Sequence, residues 1–110
     1  MNFDVTVTPE PRFVRVHVVG QGGAQRLLSL LQVMEVDCRS WRQAGVLLDL
    51  RALEPALSDE DEAQVAAAAS LAFAPLKRIA ILTRAAATHD AGRVRAFAKE
   101  GEAVAWLESA

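Results

Sequence analysis

The chain has 110 residues and a formal net charge of -2, and 52 % of its residues are hydrophobic. This length predicts one domain, residues 1–110, and the 24 % of charged residues argue against a disordered chain. The near-neutral balance argues against a nucleic-acid binder, and no apolar stretch reaches the ~18 residues of a membrane span. No secretory signal is visible, so a cytoplasmic protein is expected.

The first two elements are predicted to be strands that pair as an antiparallel hairpin. Residues 2–8 alternate apolar and polar side chains, and residues 13–19 place three valines on one face and Arg15 and His17 on the other. A Pro-Glu-Pro segment between them breaks pairing and turns the chain. The glycines of residues 20–23 lack the spacing of a dinucleotide fingerprint and the lysine of a P-loop, so they are interpreted as a structural turn.

An amphipathic helix is predicted from Ala24 onward. Its apolar face consists of residues at helical spacing, namely Leu27, Leu30, Leu31, Met34, Cys38 and Trp41. Cys38 is the one cysteine of the chain, so an intrachain disulfide is excluded and a core position is expected. Residues 46–50 then form a short apolar run, which is typical of a strand buried on both faces and requires helices on both sides of a sheet. Residues 51–57 are predicted to be a loop.

Ser58 opens a second predicted helix, because serine is a strong N-cap and four acidic residues follow it. This helix is rich in alanine and ends before Pro75. The remaining predicted elements are a strand over 78–83, a helical turn over 84–92 that ends at Gly92, a strand over 94–98 and a helix over 99–110. The predicted fold class is therefore α/β: a small mixed sheet, with an antiparallel hairpin and then parallel strands, and helices packed on it.

No constellation in the sequence indicates catalysis, a metal site or a cofactor, so a non-enzyme is predicted. The histidines His17 and His89 are far apart, and neither metal-ligand spacing nor a nucleophile elbow is present. A minor enzymatic hypothesis rests on His89 and Asp90 in a predicted loop. Residues 77–99 carry six basic residues against one acidic residue, so they are interpreted either as an anion or acidic-partner site or as solvated strand ends.

Three apolar phrases resemble the SpoIIAA-like branch of the STAS (sulfate transporter and anti-sigma-factor antagonist) superfamily. They are residues 46–51, residues 77–82 and residues 94–97 leading into 102–107. The resemblance implies a non-catalytic regulatory or protein-interaction module. In antagonists of this kind, a serine at the start of the helix after the buried strand is phosphorylated by a partner kinase. Ser58 stands nine positions after Asp49, at that spacing, whereas Leu57 and Asp59 replace the Asp and Ser that usually flank the serine.

Ser58 is therefore the phosphoacceptor candidate, with a helix N-cap as its alternative role. The candidate partner or ligand surface around it consists of Asp49, Arg51, Asp59 and Arg84. The partner implied by the resemblance is a kinase or an anti-sigma-like protein.

The same branch resembles carriers of lipophilic ligands, so an alternative function is to hold a small lipophilic or anionic molecule in a cleft under the Ala-rich second helix. The smooth surface of that helix is also compatible with tight packing on the sheet or with pairing to a second copy. A homodimer is therefore a further expectation.

Overall fold

The computed structural model describes residues 3–54, 56–84 and 90–109. Within these ranges the strands are β1 (Phe3–Pro9), β2 (Phe13–Gln21), β3 (Gly45–Glu54), β4 (Arg78–Leu82), β5 (Asp90–Ala91) and β6 (Val94–Phe97). The helices are α1 (Ala24–Asp37), α2 (Asp59–Ala72) and α3 (Glu100–Glu108), and α1 continues into a 3-10 turn, Cys38–Ser40. None of the helices in the described ranges is long and apolar enough to cross a membrane.

The strands form one mixed sheet in the order β1-β2-β3-β4-β6-β5. The outer pairs β1–β2 and β5–β6 are antiparallel, and the three inner pairs are parallel. The predicted α/β fold with an N-terminal hairpin is thus confirmed. Parallel neighbours need long crossover connections, which explains why α1 separates β2 from β3 and α2 separates β3 from β4.

Both faces of the sheet are covered by helices, as the apolar run in β3 predicts. Val46 and Leu48 point into the larger core, together with the inner residues of α1 and α2. Leu47 points to the opposite face, into a smaller core with Phe13 and Leu107 of α3. Each of these side chains contributes about 1.5–3 kcal/mol when fully buried. The two-sided burial of β3 therefore makes it the centre of the structure.

The central strand is longer than the sequence predicts, so the predicted loop over 51–57 is wrong for residues 51–54. The reason is that β2 also continues, and Val19, Gly20 and Gln21 pair with Ala52, Leu53 and Glu54. Leu53 is buried and joins the larger core. The charged side chain of Arg51 suggests a loop in the sequence, but in the structure it has its own partners on the face that carries α3.

The predicted helical turn over 84–92 is wrong for residues 90 and 91, which form a strand. Residues 85–89 lie outside the described residues, but Asp90–Ala91 form β5, which is antiparallel to β6. Gly92 has a φ of 73°, a conformation that side-chain-bearing residues rarely adopt. It occupies the first position of a two-residue turn between β5 and β6, where glycine is favoured.

The alanines of α2 form a packed surface. Ala66, Ala69 and Ala72 are at most 5 % exposed and lie in the larger core beside α1. Cys38 is buried as expected, and its thiol donates to the carbonyl oxygen of Ala72 at 3.4 Å. Because these small side chains are covered within the chain, the buried face of α2 is not free to pair with a second copy.

We predict that the close packing of α2 makes Ala69→Leu destabilising by about 1–3 kcal/mol, because the larger side chain has no space in the core. The matched control is Ala67→Leu on the exposed face of the same helix, where alanine and leucine have similar helix propensity and the effect is within about 0.5 kcal/mol. Urea unfolding of the three proteins measures both values. Equal midpoints for the two variants would contradict the tight packing.

Candidate functional site

Five charged side chains form a connected ion-pair network on the α3 face of the sheet. We call it the Arg51 network, and it consists of Glu10, Arg15, Asp49, Arg51 and Glu100. The Arg51 guanidinium donates to both carboxylate oxygens of Asp49, at 3.0 and 2.9 Å, and to Glu100 Oε1 at 2.9 Å. The other Glu100 oxygen accepts from Arg15 at 3.0 Å. The network thus ties β2 and β3 to the first residue of α3.

An irregularity in β3 creates this arrangement. The pairs His17–Asp49 and Val19–Ala52 leave Leu50 and Arg51 opposite the single residue Val18. Such a bulge removes one residue from the ladder and re-aims its groups. The backbone N–H of Arg51 accordingly donates to Asp49 Oδ1 at 3.1 Å. Asp49 therefore accepts three hydrogen bonds from one residue.

These contacts keep Asp49 ionised although its side chain is almost completely covered. Burial alone would raise the pKa of Asp49, but the side-chain and backbone hydrogen bonds from Arg51 outweigh burial and lower that pKa below its ordinary value. The hydrogen bond to Asp49 in turn raises the pKa of Arg51. A buried carboxylate needs such compensation, because desolvation of an unpaired charge is costly.

Arg84 fastens the end of β3 from the neighbouring strand. It stands two residues after the end of β4, and its guanidinium donates to the carbonyl oxygens of Arg51, at 2.8 Å, and of Leu53. It also forms an ion pair with Glu54 at 3.2 Å. Asp49, Arg51 and Arg84 are therefore connected, although the side chain of Arg84 is not part of the Arg51 network.

Ser58 and Asp59 stand at the start of α2, and in the described part of the chain no hydrogen bond or ion pair joins them to Asp49, Arg51 or Arg84. The Ser58 side chain is exposed and accepts a hydrogen bond from the backbone N–H of Asp61 at 3.1 Å. This is the N-cap contact that the sequence predicts. The first turn contains four acidic residues, of which Glu62 is buried and Asp59 and Glu60 are exposed. The hydroxyl is thus accessible, on a rigid helix end that carries negative charge.

The space behind this helix end is small. A pocket of about 50 Å³ is lined by Leu50, Ala56, Leu57, Glu62, Thr83 and Arg84. Sites for drug-sized ligands occupy about 300–1,000 Å³, so this pocket is too small for a lipid chain. The carrier hypothesis stays a prediction, and this pocket does not support it.

Four of the six basic residues of segment 77–99 make side-chain contacts within the chain, and the contacts of Arg84 are described above. Arg93 donates to the carbonyl oxygens of Ser70, Phe73 and Leu76, at the C-terminal end of α2. Arg78 and Arg95 lie over the ring of Trp106 at 5.1 and 5.0 Å. These three arginines are therefore engaged within the chain, whereas Lys77 and Lys99 are exposed, which agrees with the interpretation of solvated strand ends for those two residues.

Sequence reasoning missed Glu10, Arg15 and Glu100 as members of the network. Alternation in β2 places Arg15 on the same face as His17, but nothing local connects it to a glutamate 85 positions away. The hypothesis on His89 falls outside the described residues. Among the residues that are described, no group of three potential metal ligands is present.

We predict that Asp49→Asn lowers the free energy of unfolding by about 2–3 kcal/mol at pH 7, because Arg51 loses its main partner. Since folding lowers the pKa of Asp49, its contribution is complete above the pKa of the unfolded carboxyl and is lost as the pH falls through the folded value. The difference between wild type and variant should therefore shrink in acid. Urea unfolding between pH 7 and pH 3 measures it, and exposed Asp37→Asn is the control. A difference that is constant with pH would refute the argument.

Comparison with solved structures gives similar folds over nearly the whole chain. An anti-sigma factor antagonist from Mycobacterium paratuberculosis has a TM-score of 0.59 and 13 % sequence identity, over 97 % of this chain and 95 % of that chain. An uncharacterized protein of the DUF3478 family with a SpoIIAA-like fold, from Shewanella loihica PV-4, has a TM-score of 0.51 and 18 % identity, over 96 % and 93 %. No protein-family model and no curated protein matches the sequence. The resemblance that the apolar phrases indicate is thus confirmed at the level of the fold, which is SpoIIAA-like.

Proposed function

We propose that the chain is a non-catalytic regulatory domain that binds a protein partner at the carboxyl-terminal ends of β3 and β4, where α2 begins. Ser58 is its phosphoacceptor in this proposal. The observation that carries it is the position of Ser58: an exposed hydroxyl at the first turn of a helix whose opposite face is packed on the sheet. The likeness of the fold to an anti-sigma factor antagonist supports the choice of a protein partner over a small molecule.

The surface around Ser58 is presented on a rigid frame. Arg84 holds the end of β3 through two carbonyl oxygens, and the Arg51 network holds the same strand from the other face. We therefore assign Asp59 and Arg84 to the contact surface, and Asp49 and Arg51 to its support from behind.

A phosphate on Ser58 would add about two negative charges to this acidic turn. The helix N-terminus favours an anion, but the neighbouring carboxylates repel it. Burial of this charge in a protein interface costs desolvation free energy, so phosphorylation is expected to release the partner rather than recruit it.

The serine is proposed as an acceptor rather than as a nucleophile. In the part of the chain that the structure describes, its hydroxyl pairs with a backbone N–H and not with a side-chain base. A nucleophilic serine needs such a base within hydrogen-bond reach.

The test uses two substitutions that preserve the helix cap. Both Asp and Asn are good N-cap residues, so Ser58→Asp and Ser58→Asn keep α2 intact, while the first adds a charge and the second only removes the hydroxyl. A partner is isolated from the source cells on immobilised wild-type protein, and its affinity for all three proteins is measured by calorimetry. We expect Ser58→Asn to bind within about twofold of wild type and Ser58→Asp to bind at least ~10-fold more weakly.

Equal affinity of the wild type and Ser58→Asp would refute the switch. Intact-mass measurement after incubation with the partner kinase and ATP adds a second criterion. The mass of one phosphate should appear on the wild type and not on Ser58→Asn. Ser70→Ala, in the same helix, is the control for modification at another serine.

A further inference from the structure

The free edge of the sheet at β1 differs from the opposite edge in ways that bear on assembly. β5 has two residues, whereas β1 has seven and pairs with β2 without a register shift. Monomeric proteins protect long edge strands with bulges, central prolines or lysines. β1 carries one charged residue, Asp4, and its proline stands at its last position. In the described part of the chain, nothing pairs with its outer edge.

The hairpin turn determines which backbone groups of β1 point outward. The N–H of Glu10 donates to the carbonyl oxygen of Phe13 at 2.8 Å, so these two residues form a hydrogen-bonded pair. Hydrogen-bonded and non-bonded pairs alternate along an antiparallel ladder. The backbone groups of Asp4, Thr6 and Thr8 therefore bond to β2, and those of Phe3, Val5 and Val7 point away from the sheet.

Two of these odd-numbered residues, Val5 and Val7, carry exposed apolar side chains, whereas Phe3 is half-buried against the larger core. Val5 is 36 % exposed and Val7 is 44 % exposed, and both lie on the face that carries α1. Beside them, an open groove of about 700 Å³ lies between β1 and α1. Its apolar lining is Phe3, Leu30 and Val33, and its polar lining is Asp4, Gln25, Arg26 and Ser29. Val33 is 64 % exposed. Unpaired backbone groups and an apolar strip thus coincide on one edge.

We propose that a second copy of this chain covers β1, by antiparallel pairing of the two β1 strands about a twofold axis at Val5. In this register Val5 faces Val5, and Phe3 faces Val7 of the other copy. All outward N–H and C=O groups of Phe3, Val5 and Val7 then match between the copies. Aromatic and β-branched side chains across such pairs are favourable neighbours.

The charges of the strand favour a copy of itself over a strand of another kind. On the opposite face, the register places Asp4 against Thr6 of the second copy, twice by symmetry. Asp4 is the one charged residue in β1, so no like charges meet, and a threonine hydroxyl can donate to each carboxylate. β1 is therefore complementary to itself in hydrogen bonding, in apolar contact and in charge. This inference does not depend on Ser58 or on the proposed switch.

Substitutions at Thr6 test the register, since this exposed residue faces Asp4 only in the dimer. Thr6→Asp places like charges opposite each other, and Thr6→Lys places opposite charges there. We expect the dimer dissociation constant to rise roughly 2- to 30-fold for Thr6→Asp and to fall by a similar factor for Thr6→Lys. Sedimentation equilibrium measures these constants. Shifts of the same sign for both variants, or no shift, would overturn the register.

Two single substitutions to lysine test whether β1 is the contact strand of the dimer. Val5→Lys brings two positive charges together at the twofold axis and should raise the dissociation constant at least roughly 10-fold. Leu71→Lys is the control, because Leu71 is also an exposed apolar residue (77 %) but lies on α2 rather than on the β1 edge. A wild-type protein that sediments as a monomer throughout the micromolar range overturns the proposal and leaves another chain as the occupant of β1.

Amide hydrogen exchange provides a readout that is independent of mass. The N–H groups of Thr6 and Thr8 bond to β2 and should exchange slowly in every folded variant. Those of Val5 and Val7 should be protected in the wild type and exchange rapidly in Val5→Lys and on dilution to the monomer. Rapid exchange of the odd-numbered amides in concentrated wild-type protein would overturn the proposal, and slow exchange at Thr8 in Val5→Lys shows that the hairpin is folded.

Discussion

The structure depends on one buried carboxylate in its central strand. Asp49 lies in a strand that is covered on both faces, and its relative exposure is 3 %. An ionised group in that position is tolerated only if its hydrogen bonds are satisfied. Arg51 provides three of them, and it can do so because the bulge in β3 frees its N–H from the ladder. The rest of the Arg51 network is built on this pair. The Arg51 guanidinium also donates to one carboxylate oxygen of Glu100, and Arg15 donates to the other.

The consequence for the fold is that α3 is attached to the sheet by charge as well as by apolar contact. Glu100 is the first residue of α3, where a negative charge is favourable to the helix. Its carboxylate spans Arg15 on β2 and Arg51 on β3. At the other end of the helix, Leu107 packs in the smaller core. The short helix is therefore held at both ends, and the end of β3 is fixed on the face opposite α2.

Local pattern in the sequence was sufficient for the elements whose neighbours are also local. The alternation of β2 and the apolar run in β3 report burial directly, and both strands form. The helical spacing likewise predicts α1, but the helix ends at Asp37, and Trp41, which was expected on its apolar face, follows the 3-10 turn in extended conformation. The extension of β3 to Glu54 could not be predicted, because Arg51 looks like a loop residue unless its partner Glu100 is known. The same holds for β5, which depends on pairing with β6. For the candidate site, the N-cap role of Ser58 could be predicted from its neighbours. The pairing of Asp49 with Arg51 and Glu100 rather than with Ser58 depends on the tertiary structure.

The proposed switch lies at the carboxyl-terminal ends of β3 and β4, whereas the proposed dimer uses the outer strand β1. Binding at one surface is therefore independent of binding at the other. In a twofold dimer through β1, the two β3 strands are separated by five strand spacings, or roughly 24 Å. The twofold axis makes the two β3 strands run in opposite directions, so the two Ser58 surfaces lie at opposite ends of the joined sheet. A single partner that covers one of these surfaces therefore cannot reach the other, and no gain from bivalent binding is expected for a monomeric partner. Dimerisation in this geometry would protect the edge strand from unwanted pairing while each Ser58 surface remains open to its own partner.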